Sequence, residues 1–85
     1  MARAYFNLGY IYHVIKKEYS LAEAMYQRTV QISPDFLDDA LYMLALSQNK
    51  LGKKQECIIN LEQAIKINFD HKPATIMLDH LKKQQ

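Results

Sequence analysis

The sequence predicts an all-α fold of helical hairpins in series, and three observations carry that prediction. Apolar residues recur at intervals of three and four along nearly the whole chain, and no alternating segment is long enough to argue for a strand. That interval is the period of helices with one face turned inward. The chain has only two glycines and two prolines, and Pro34, Gly52 and Pro73 fall where the apolar pattern breaks. The segments left between helices are so short that neighbouring helices must run antiparallel.

The first helix is expected over residues 3–16. It is apolar almost all round from Tyr5 to Ile15, yet it carries Gly9, which costs a helix interior about 1 kcal/mol relative to alanine. The second is expected over 20–32, opened by Ser20 and Glu23 in the spacing of a capping box, in which the serine oxygen accepts a free amide hydrogen and the glutamate reaches back. Ser33-Pro34 opens the third, over 35–51, because the missing proline N–H is no loss in a first turn. Asp35, Asp38 and Asp39 then sit where the helix dipole favours acids, and Gly52 supplies the left-handed residue that ends the helix. Two further helices are expected over 54–67 and 72–83.

Composition bounds the function. Eighty-five residues, 49% hydrophobic and 24% charged, describe one small globular unit rather than a disordered chain. The net charge of +2 gives no footprint for nucleic acid or an anionic membrane as an obligate partner, and no apolar run approaches the roughly 20 residues of a membrane span. Cys57 is the only cysteine, which excludes an internal disulfide and a multi-cysteine metal site and points to a reducing, cytoplasm-like compartment. His13, His71 and His80 lack ligand spacing with a second histidine or with Cys57. There is no nucleotide loop, HExxH pair, nucleophile elbow or CxxC, so no enzyme, cofactor or metal is expected.

Aligning the chain on itself sharpens the architecture. Leu8, Leu44 and Leu78 match at separations of 36 and 34, while Ala22 matches Cys57, Thr29 matches Ala64 and Pro34 matches Phe69 at 35. A helix–turn–helix unit of about 34 residues is the period of tetratricopeptide repeats. The residues resemble that family in detail: Tyr5-x-x-Leu8-Gly9-x-x-Tyr12 is similar to its first-helix motif, with Tyr5 in place of tryptophan. Ala22-x-x-x-Tyr26, Thr29 and Pro34 resemble its second-helix motif, with tyrosine for phenylalanine and threonine for alanine. A more degenerate copy follows in Leu41, Leu44, Ala45, Gln48, Cys57, Leu61 and Ala64, with Phe69 replacing the closing proline. The resemblance implies a right-handed α-solenoid of about five helices: one unit over 2–36, a second over 38–71, and a capping helix or partial third unit over 72–85. The first unit holds one extra residue, expected in its inner turn around Lys16 and Lys17.

In this arrangement Gly9 needs no catalytic role. Gly9 and Ala45 on first helices are expected beside Ala22 and Cys57 on second helices, where small side chains let the helices approach. Tyr5, Leu8, Gly9 and Tyr12 then face the second helix, while Asp79, in the same slot of the last helix, suits a solvated cap. Helical spacing leaves Arg3, Phe6, Tyr10 and His13 on another stripe. The matching stripes are Asp39, Tyr42, Leu46 and Asn49 on the third helix, and Ile76, His80 and Lys83 on the last.

The resemblance implies that stacked first helices line a concave face holding a peptide or a partner's helix. One branch of the family grips chaperone C-terminal carboxylates there, but the matching slots here hold Phe6, Tyr10, Met43, Pro73 and Met77, none of which can pair a carboxylate. The expected function is therefore capture of an apolar segment or amphipathic helix of a protein partner, with Met43 and Met77 open to a plainer reading as inter-helix core. The alternative is a structural or self-associating piece of a longer solenoid, since the first helix begins at once with no capping residue ahead of it. Lysines 16, 17, 50, 53, 54, 82 and 83 fall near helix ends along one edge. They either complement helix dipoles or form a basic rim that steers an acidic partner.

Overall fold

The computed structural model describes residues 1–84. Helix α1 (Ala2–Tyr10) continues into a wide π-type turn (Ile11–Ile15), followed by α2 (Tyr19–Ile32), α3 (Leu37–Lys50), α4 (Lys54–Ile67) and α5 (Lys72–Lys83). Each helix packs chiefly on its neighbours in sequence, giving a slab of 34 × 26 × 17 Å. No described residue lies in a strand, and no described helix is long and apolar enough to cross a membrane.

The core has two centres rather than one. Leu41, Ala45, Cys57, Ile58, Leu61, Ala64, Ala74 and Leu81 form the first, among α3, α4 and α5. Ala22, Tyr26 and Leu44 form the second, with Phe6, Tyr12 and Met43 against it, and Val30 packs on both. Methionines 43 and 77 are half-buried against these clusters. Thr29, in the small slot that matches Ala64, is fully buried and spends its hydroxyl hydrogen on the Met25 carbonyl at 2.9 Å.

Several local expectations are corrected. Ser20 is not a cap: α2 starts at Tyr19 with no side-chain cap bond, and Glu23 is buried with its carboxylate engaged elsewhere. Ser33-Pro34 does not open α3; Ser33 ends α2 in the left-handed region (φ 59°), a turn intervenes, and α3 starts at Leu37, which leaves Asp35 outside it. Asp38 and Asp39 do occupy the first turn. The extra residue of unit one is not in the inner turn either. The linkers 16–18 and 51–53 are equally long, and the surplus is taken up by the π turn, where the Lys16 amide reaches back five residues to the Ile11 carbonyl at 3.0 Å.

Lys17 and Gly52 occupy matching turn positions, and both have positive φ, 56° and 78°. A non-glycine residue there costs about 1–2 kcal/mol, partly offset by the greater unfolded-state freedom of glycine. Lys17→Gly is therefore expected to raise stability by about 0.5–1 kcal/mol in a urea titration.

A histidine caps the last helix. His71 Nδ1 accepts the Ala74 N–H at 3.2 Å, so its hydrogen sits on Nε2, which donates to Asp39 at 2.8 Å. Beside it the Asn68 amide donates to Asp38 at 2.8 Å and holds that carboxyl below its usual range. These bonds fasten the start of α5 to the start of α3.

Candidate protein-docking face

The close approach that Gly9 permits is built against an unexpected partner. A Cβ at Gly9 would lie 2.5 Å from Cε1 and 2.7 Å from Cδ1 of Tyr26, rather than beside Ala22. The Tyr26 ring is fully buried, with Phe6 at 5.7 Å and His13 at 6.3 Å between ring centroids. Its hydroxyl is buried without a partner, and burial, then the nearby Tyr10, pushes its pKa well above the ordinary range. Leu8 departs from its expected place facing the second helix, since it is substantially exposed.

The predicted stripe falls into inner and outer members. Phe6 is half-buried, edge-on to Phe36 at 5.1 Å, and the Arg3 guanidinium lies 4.1 Å from the Phe36 ring centre. Tyr10 is 48% exposed. His13 is half-buried, edge-on to Tyr19 at 5.3 Å. On α3, Tyr42 packs on the His71 ring at 5.2 Å, Leu46 is half-buried and Asn49 exposed. On α5, Ile76, His80 and Lys83 are exposed, with His80 beside Gln84 at 3.1 Å. Tyr10, Asn49, Ile76, His80 and Lys83 are thus exposed, while Phe6, His13, Tyr42 and Leu46 are half-buried.

Sequence reasoning missed what sits beneath and beside this stripe. Phe36 completes the aromatic layer under Phe6, and its only signal was its place after the turn at Pro34. Glu23 is buried and accepts from Gln48 Nε2 at 3.2 Å and Lys53 Nζ at 2.9 Å, while Gln48 in turn accepts from Asn60 at 2.7 Å. Glu23→Ala leaves the buried Gln48 amide without that acceptor and is expected to cost about 1–3 kcal/mol in chemical denaturation. The lysine edge is partly spoken for: Lys53 pairs with Glu23, Lys82 lies 3.9 Å from Glu62, and Lys50 lies 6.0 Å from the Tyr19 ring centre. A shallow pocket lies elsewhere, lined by Met1, Tyr5, Arg28, Gln31 and Ile32.

The titratable groups offer little chemistry. Burial pushes the Cys57 thiol up, away from the thiolate. Asp38, Asp39 and His71 bring potential ligand atoms within 4.8 Å of one another, but both ring nitrogens of His71 already hold bonds inside the chain. Burial, then the charge of Lys50, lowers the His13 pKa below 6.5. The folded state thus binds fewer protons here than the unfolded chain, so this residue's contribution is intact above pH 6.5 and declines as pH falls through that value. His13→Gln is expected to flatten the stability profile between pH 5 and 7, as read by thermal melts.

Family comparison decides the assignment. A family model described as the tetratricopeptide repeat matches residues 2–36 and again 38–71. The chain belongs to the tetratricopeptide repeat family. Comparison with curated proteins and with solved structures returned no match. Tetratricopeptide repeats mediate protein–protein interaction, and in that light the stripe on α1, α3 and α5 is the chain's candidate docking face.

Proposed function

We propose that this chain is a binding module that holds an apolar extended segment or amphipathic helix of a protein partner against α1, α3 and α5. The observation that supports the reading is the exposure of Tyr10 and Ile76 on stripes whose other apolar members, Phe6, Tyr42 and Leu46, are half-buried. Aromatic anchors around a half-buried apolar floor are where binding energy concentrates in helix-in-groove recognition. The slots that would pair a terminal carboxylate hold Phe6, Tyr10, Met43, Pro73 and Met77, which favours an internal apolar segment over a charged chain end.

Selection from a peptide library displayed on phage tests this. Recovered peptides are expected to share two or more apolar anchors. Tyr10→Ser with Ile76→Ser, both at exposed positions, is expected to weaken them about tenfold or more with circular dichroism unchanged. Binding that survives those changes and also Phe6→Ala with Tyr42→Ala would overturn the reading. A second reading, self-association, is favoured by the exposed apolar residues concentrated in the first unit. Light scattering over a concentration series separates the two, because a stable dimer that buries the stripe supports self-assembly instead.

A further inference from the structure

Resting on that reading of the groove, we infer that it holds, at the end where α3 terminates, a polar notch that takes an acidic side chain from within the partner segment. Two buried atoms point to it: Tyr26 Oη and His13 Nδ1 both lack a hydrogen-bond partner. Tyr26 is fully buried, and a phenylalanine would fill the same space without burying an unpaired hydroxyl. Such groups are rare in packed interiors, where nearly every polar atom finds a partner.

Three elements converge on these atoms. His13 lies in the π turn Ile11–Ile15, edge-on to Tyr19 at the start of α2 at 5.3 Å, with its ring centre 6.3 Å from that of Tyr26. Turns of this kind recur where a helix carries a site. Lys50, one turn beyond Leu46 on α3, reaches back to the first unit, with Nζ 6.0 Å from the Tyr19 ring centre. It makes no ion pair among the described residues, and after burial its charge is what lowers the His13 pKa. Tyr10 stands on the same stripe as His13. It follows Gly9, whose backbone lies against the Tyr26 ring.

The donors define the ligand. The Tyr26 hydroxyl and, in one tautomer, His13 Nδ1 can each donate, and Lys50 adds a cation. A carboxylate accepts from both and meets the charge, which a neutral amide does not. The surroundings keep a positive balance: Lys16, Lys17 and Lys50 stand against the single acid Glu18, all four exposed, while Lys53 is already paired with Glu23. The acid reaches the two buried atoms when the Tyr10 ring turns aside. That ring is 48% exposed, and a side chain so placed changes rotamer rapidly.

The test uses peptides selected on the intact protein, synthesised singly and labelled for fluorescence polarisation, with sodium propionate as the bare side chain of glutamate. The tightest binders are expected to carry an internal Glu or Asp, and its replacement by Gln or Asn to weaken binding about five- to tenfold. Lys50→Met in the protein is expected to do the same. Tyr26→Phe is the deciding variant: binding about three- to tenfold weaker, from a protein that melts no lower than the parent, is a combination that loss of folding does not produce. Propionate at constant ionic strength is expected to shift the His13 and Tyr10 ring resonances saturably, with no such shift from propionamide or in Lys50→Met. Peptides that bind equally well with the amide, or equally well to Tyr26→Phe, would overturn the inference and leave the groove standing. So would binders whose only essential carboxylate is the chain terminus. If no peptide is recovered the groove itself falls, and the propionate titration then decides the notch alone: no saturable shift would overturn it too.

Discussion

Replacing Tyr26 by alanine is expected to cost about 3–5 kcal/mol, the range for removing a buried aromatic ring from a packed core. A chain of this length commands about 4–13 kcal/mol in all, so the variant should be largely unfolded or melt at least 12 °C lower. Tyr26 joins three elements: its ring fills the place Gly9 leaves open, carries Phe6 and meets Leu44 of the next unit. Tyr26→Phe separates shape from polarity. The hydroxyl is buried without a partner, and an unsatisfied buried group costs about 1–3 kcal/mol. Phenylalanine keeps the ring and removes that group, so a gain of about 1 kcal/mol is expected in a denaturant titration.

Gly9→Ala is expected to destabilise, although helix propensity alone predicts a gain of about 1 kcal/mol. The added methyl would meet two carbons of the Tyr26 ring at 2.5 and 2.7 Å. The ring has little room to retreat, because it is fully buried against Phe6 and Leu44. Overpacking of this kind costs about 1–3 kcal/mol, and near the upper end of that range the net loss is about 1–2 kcal/mol. The cause is testable in a double-mutant cycle. Tyr26→Leu narrows the side chain, and in that background Gly9→Ala should become neutral or stabilising.

Much of the fold was legible because helix period and repeat spacing are local, repeated signals. The bounds of α4 and α5 were read to the residue, and Gly9 was correctly assigned to close packing. The failures have a common physical origin in tertiary demand. Ser20 and Glu23 have capping-box spacing, yet the Glu23 carboxylate is drawn away from the helix end by Gln48 and Lys53, residues far along the chain. His71 caps α5, a role that the spacing between histidines, which bears on metal ligation, does not encode. The π turn left one trace, the separation of 36 where 35 recurs elsewhere, because Ile11–Ile15 is by itself an ordinary apolar helical segment.

The candidate groove was legible as a stripe but not as a surface. Spacing put Phe6 and Tyr10 on one face, and only packing distinguishes Phe6, set on Tyr26 and Phe36, from Tyr10, which reaches solvent. The exposure of Ala4, Leu8 and Ile11 was hidden for a related reason. They occupy positions that the repeat pattern marks as core, and in the second unit their counterparts Ala40, Leu44 and Ser47 are buried. Their exposure depends on what lies next to α1, which no local pattern encodes.

The hairpins stack in register around two linked cores, leaving Tyr10 and Ile76 outside while Tyr26 and Leu61 are enclosed. Paramagnetic broadening of ring and methyl resonances by a soluble nitroxide tests it most directly. Strong broadening at Tyr10, Ile76 and Ile15 is predicted, with Tyr26 and Leu61 spared. Equal protection of Tyr10 and Tyr26 would mean a closed bundle around a single centre and would contradict the account.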